Sequence, residues 1–125
     1  MDEGDISGSR HDTIPAPAFC GYHADLDGLV LRIRIRSTFD RENRGRPWAN
    51  DIVNAFTMPL ERLEVDFEHA TIVSSTVFAG LVQLYQGFQG RVNDGVHLTH
   101  VGTQVLRSLK MLKLDPLFTI RLRGS

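Results

Sequence analysis

From Leu29 onward the spacing of apolar residues switches back and forth between two and about four, and this restricts the chain to an α/β fold. Leu31, Ile33 and Ile35 alternate with Arg32, Arg34 and Arg36, the pattern of a strand with one buried and one wet face. Trp48, Ile52 and Phe56 then recur at helical spacing beside Ala49 and Val53. Pro47 suits the first position of that helix and Met58-Pro59 ends it. Leu63, Val65 and Phe67 alternate with Glu64 and Asp66, a further strand. Ser74 to about Gln89 reads as the strongest helix, on the stripe Phe78, Leu81, Val82, Tyr85 and Phe88, closed by Gly87, Gly90 and Asn93-Asp94-Gly95. Val96 to His100 is a strand. Gly102-Thr103 opens a helix with the buried stripe Val105, Leu106, Leu109 and Leu112, and Asp115-Pro116 stops it. Phe118, Ile120 and Leu122 alternate in a last strand.

Phe19 to Leu26 is a weaker strand joined to the first alternating one by the hairpin signal Asp27-Gly28. The order β-β-α-β-α-β-α-β predicts a mixed sheet of about five strands with helices packed mainly on one face. Met1 to Pro17 is polar and carries Gly, Ser and Pro, so residues 1–17 are expected to be a flexible leader and residues 18–125 the domain. With 125 residues and 42% hydrophobic content, the chain suits one core. A formal net charge of -1 argues against broad nucleic-acid binding. The N-terminus lacks the pattern of a signal peptide. The apolar run from Phe78 to Val82 is too short to span a membrane. A soluble cytoplasmic domain is expected.

Leu63-Glu64-Val65-Asp66-Phe67, Ile72-Val73-Ser74-Ser75-Thr76 and Leu114-Asp115-Pro116-Leu117-Phe118 follow one another in a layout, from Leu63 to Ile120, that resembles the STAS family in its anti-sigma-factor-antagonist branch. Leu63-Glu64-Val65-Asp66-Phe67 is similar to a family strand ending in an acidic residue. Ile72-Val73-Ser74-Ser75-Thr76 lies where the family has an aromatic or aliphatic residue, Asp, two serines and Gly. Leu114-Asp115-Pro116-Leu117-Phe118 resembles its Leu-Asp-x-Leu-Phe ending. With the hairpin and first helix, the resemblance runs from about Phe19 to Leu122, carried by order and spacing rather than by one motif.

The resemblance implies a STAS-like fold and a protein-binding regulatory module that is not an enzyme and holds no cofactor. Its partner would be a kinase-like anti-sigma factor, released when the domain is phosphorylated. Ser74 matches the phosphoacceptor and Ser75 the serine after it. The partner surface would comprise Val73, Ser74, Ser75 and Thr76, with Arg41 and Arg44 from the polar loop Ser37–Arg46. Val73 and Thr76 stand where the family has Asp and Gly. That departure motivates a second reading, a non-phosphorylated adaptor docked constitutively on a transporter ATPase or signalling assembly. A small α/β hydrolase is a third.

Physical chemistry makes a switch at Ser74 coherent without the resemblance. A serine at a helix start caps an orphan N–H, and the same end tolerates a phosphate. Ser74 and Ser75 as plain helix caps are the competing reading. The arginines at 32, 34 and 36 read either as a basic patch or as a solvated face paired with Glu64 and Asp66. His97 and His100, three apart in a strand, are expected on opposite faces, so no metal site is expected. Cys20 reads as a structural thiol. Gly87 and Gly90 follow a helix rather than open one, the wrong context for a phosphate loop. Trp48 and Phe56 read as core.

Overall fold

The computed structural model describes residues 11–13 and 21–124. Strand β1 is His11–Thr13, β2 Tyr22–Asp27, β3 Val30–Ile35, β4 Arg62–Asp66, β5 Val96–Val101 and β6 Thr119–Leu122. Helix α1 is Phe39–Asn43, α2 Trp48–Ala55, α3 Ser75–Gly87 and α4 Thr103–Met111, and a 3-10 turn spans Asp115–Leu117. The six strands form one sheet in the order β1-β2-β3-β4-β5-β6. β1, β2 and β3 pair antiparallel, and β3 through β6 pair parallel. The α/β class and mixed sheet follow the sequence reading. The sheet carries a sixth strand, because β1 lies within the stretch read as a leader. The rest of that stretch, and Cys20, fall outside the described residues.

Strand order equals chain order, so every parallel crossover steps in the same direction. Crossovers of the usual right hand then place all their helices on one face. Burial agrees. Leu31, Ile33, Leu63, Val65 and Leu98 are completely buried, while Arg34 and Thr119 on the other face are exposed. A sheet that never reverses direction also lacks the switch-point crevice in which doubly wound folds bind ligands.

The core is closed by a tight crossing of α2 on α3. A Cβ added at Gly80 would lie 2.2 Å from the Trp48 ring, and one at Gly87 would lie 2.6 Å from Val53. These two glycines stand seven positions apart on one helix face and let α2 approach. Trp48 packs edge-on against Phe39 at 5.5 Å and tilted against Tyr22 at 5.7 Å. Its indole Nε1 donates to the carbonyl of Thr76 at 3.2 Å. Trp48 and Phe56 are therefore core residues, 2% and 4% exposed. Arg91 finishes α3 by donating to the carbonyls of Gly87 at 2.6 Å and Phe56 at 3.2 Å, with its guanidinium 4.8 Å from the Phe88 ring centre.

Three local expectations are corrected. The segment from Ser37 to Arg46 is not simply a loop: it holds α1, anchored by buried Phe39 and buried Asn43, whose Nδ2 donates to the Arg46 carbonyl at 2.9 Å. Leu112 is 53% exposed, because α4 ends at Met111 and Lys113 turns the chain at φ 58. His100 does not face away from His97. β5 carries one extra residue against β6 between Leu98 and Val101, and His100 sits there at φ 53. This bulge turns Thr99 and His100 both to the open face.

Candidate partner-binding site

The start of α3 is set by the turn after β4. Ala70 N–H closes on the Phe67 carbonyl at 3.1 Å, and the chain bends again at Thr71 and Ile72 before Ser74. Ser74 takes the N-cap position with φ -85 and ψ 173, and its carbonyl accepts the first helical bond from Val77 N–H at 3.1 Å. Its hydroxyl does not cap the helix. It donates instead to Asp40 Oδ1 of α1 at 2.5 Å. The expected capping bond is thus replaced by a charge-assisted bond between two elements, the stronger interaction of the two. Ser75, the first helical residue, is exposed and makes no cap bond either.

The candidate residues fall into two neighbouring groups. Val73 is half-buried against the core, Ser74 and Thr76 are half-buried, and the Thr76 carbonyl is held by Trp48. Arg41 and Arg44 are exposed on α1 and its C-cap, Arg44 at φ 54 with its N–H on the Asp40 carbonyl at 3.2 Å. Asp40 joins the groups, because its main chain holds Arg44 and its side chain holds Ser74. Sequence reasoning missed Asp40. A bond spanning 34 residues into an irregular polar segment leaves no periodic signal.

Ser75 borders two depressions. One, of about 360 Å³, runs between Arg46, Pro47 and Trp48 and the α3 residues Thr76, Ala79 and Gln83. The other, of about 280 Å³, lies between Val73 and Phe78 on one side and Ser108, Met111 and Leu112 on the other. Ile72 and Met111 are 78% and 77% exposed. Large apolar side chains this bare, beside a polar helix start, have the character of an interaction surface.

The open face is electrostatically different. Arg32 Nε donates to Glu64 Oε1 at 3.0 Å, and Arg62 approaches the other Glu64 oxygen at 2.9 Å. The hydrogen bond to Glu64 raises the pKa of Arg32 above the ordinary guanidinium value, with Asp25 and Asp27 adding to it. The arginine stripe is therefore in part the paired face that its spacing allowed. Arg34 stands in register with Asp66 but does not bind it. Asp66 Oδ1 instead accepts from His100 Nδ1 at 2.7 Å, Thr99 Oγ1 at 3.1 Å and Glu68 N–H at 3.2 Å. Asp66, Glu68 and His100 bring metal-type ligand atoms within 4.8 Å of one another. Among the described residues no serine hydroxyl is bonded to a histidine, and no helix is long and apolar enough to cross a membrane. No protein-family model and no curated protein matches the chain.

Proposed function

We propose that this domain is a regulatory protein-binding module of the STAS kind. It acts in the cytoplasm as an anti-sigma-factor antagonist that docks a kinase-like anti-sigma factor through the start of α3. The observation that carries the proposal is the placement of Ser74. Its hydroxyl stands at a helix N-terminus on the surface, bonded to a carboxylate of a separate element and flanked by exposed Ile72 and Met111. Unphosphorylated, the Ser74–Asp40 bond holds α1 against α3 and presents Arg41, Arg44 and the apolar residues as one surface. Phosphorylation forms a bond from Ser74 Oγ to the terminal phosphorus of a nucleoside triphosphate held by the partner, as the bond from that phosphorus to the bridging oxygen breaks; the nucleoside diphosphate leaves and the hydroxyl proton passes to solvent. The product carries roughly -1.5 to -2 charge against the Asp40 carboxylate. Like charges at that separation repel, α1 separates from α3, and the partner surface is broken.

The adaptor reading draws on a different observation. Val73 supplies no carboxylate beside Ser74 in sequence, and bare Ile72, Met111 and Leu112 suit a permanent contact. One experiment separates the two. Wild type, Ser74→Ala and Ser74→Asp are used as baits in native lysate, with and without ATP, and captured proteins are identified by mass spectrometry. Loss of one kinase-like protein from Ser74→Asp alone, and from wild type on adding ATP, is expected. Equal capture by all three, insensitive to ATP, replaces the switch with the adaptor. Capture of no protein with a nucleotide-binding fold sinks the anti-sigma-factor reading.

A further inference from the structure

The helix-free face of the sheet holds a groove of about 420 Å³ where β3, β4 and β5 reach their C-terminal ends, bordered by β6. Two of its three carboxylates are committed, and the third, Glu68, is exposed at the groove's edge. Glu64 is matched by two arginines at 3.0 and 2.9 Å. Asp66, only 7% exposed, spends one oxygen on three donors. Two of its cations are not committed. Arg34 from β3 and Arg121 from β6 line the groove, are exposed, and make no hydrogen bond or ion pair among the described residues. His100 lies between them in chain order across the sheet. The bulge puts it on this face, and its Nδ1 contact with Asp66 at 2.7 Å fixes the ring so that Nε2 is the nitrogen turned away.

We infer that this groove binds the phosphate group of a small phosphorylated ligand. Arg34 and Arg121 supply two guanidinium forks, and His100, its Nδ1 held on Asp66, presents Nε2 to the same groove. Two guanidinium cations match the charge of a phosphate monoester better than that of a singly charged carboxylate. The Asp66, Glu68 and His100 atoms have a spacing a cation accepts. The uncommitted Arg34 and Arg121 beside them oppose a cation, and Asp66 Oδ1 already accepts from three donors. Asp66 serves instead to hold His100. The groove lies on the opposite face of the sheet from the α3 start, so its occupancy does not depend on the partner switch.

The test is two-dimensional NMR of the full chain titrated with inorganic phosphate, O-phosphoserine and a nucleoside monophosphate at constant ionic strength, with chloride as control. Saturating shifts are expected at Arg34, Asp66, Thr99, His100 and Arg121, half-complete on the order of 1 mM for phosphate alone. Tighter binding of either organic ester identifies contacts beyond the phosphate. Arg34→Gln and Arg121→Gln each weaken binding about tenfold or more, as expected for loss of one charge-assisted contact. Arg107→Gln on α4 leaves it unchanged. Shifts that match chloride or fail to saturate in the wild type overturn the inference, and so does binding retained by both arginine variants. Micromolar binding of zinc at His100 without phosphate binding would assign the groove to a cation instead.

Discussion

Ser74 and Asp40 concentrate the chemistry of the proposed switch in one bond. Ser74→Ala removes a partly exposed hydrogen bond to a charged group and is expected to cost about 1 kcal/mol, read by urea unfolding. Ser74→Asp is a different perturbation. It sets two carboxylates against each other, and amide exchange across Phe39–Arg44 should rise about tenfold over the Ser74→Ala value. Adding Asp40→Asn to Ser74→Asp removes one of the two charges and should return exchange to that value. Equal exchange in Ser74→Ala and Ser74→Asp would show that no charge-driven release of α1 exists. Gly80 permits a separate prediction. Its Cβ position lies 2.2 Å from Trp48, so Gly80→Ala forces the indole or α2 to move. A loss of about 1–3 kcal/mol is expected, as for overpacking, with a shifted tryptophan emission. A variant as stable as wild type would mean that the crossing of α2 on α3 has slack. By contrast, the Arg32–Glu64 pair is partly solvated, at 34% and 14% side-chain exposure. Its coupling in a double-mutant cycle should stay below about 1 kcal/mol and fall with salt.

At the scale of elements, α1 is the part that sequence reasoning did not see. It is five residues long, and only Phe39 and Asn43 are buried. One turn is too short for an apolar stripe to show, and its stability comes from Asn43, Trp48 and Asp40 rather than from helix propensity. The bulge in β5 was hidden for a related reason. A single extra residue reverses which side chains face water, and nothing in Thr99-His100-Val101 announces it. The longer elements were legible because their faces repeat. Leu31, Ile33 and Ile35, and Phe78 and Leu81, lie where their spacing places them. If α1 belongs to the partner surface, replacing Arg41, Arg44 and Arg46 together by Ala should weaken capture of the partner at least about tenfold, chiefly through the association rate. Unchanged affinity, measured by surface plasmon resonance, would confine the surface to α3 and α4.

Across the whole molecule, the α/β class and the mixed sheet were readable, while the contacts at the candidate sites were not. Crossover chirality and strict alternation determine an open-faced sheet from order alone. The contacts that define the two candidate sites, Ser74 with Asp40 on one face and Asp66 with His100 on the other, each join residues 34 positions apart. Local pattern carries no information about such pairs. Stability should be graded across the sheet. β4 is central, with Leu63 and Val65 fully buried, whereas β6 is four residues long with Leu122 43% exposed. Native-state hydrogen exchange should find the slowest amides in β3, β4 and β5 and exchange at β6 by local opening. Uniform protection across all strands would contradict this.

The unbroken strand order also bears on how the chain is made. Every strand after the first finds its sheet neighbour in the segment synthesised just before it. No strand has to wait for a later one to be inserted between it and an earlier partner. As the polypeptide leaves the ribosome, each new crossover unit can lay its strand on an edge that already exists and its helix on a surface already in place. Such a domain can assemble in the order of its own translation, with β6 and its arginines laid on β5 after the other described strands are in place.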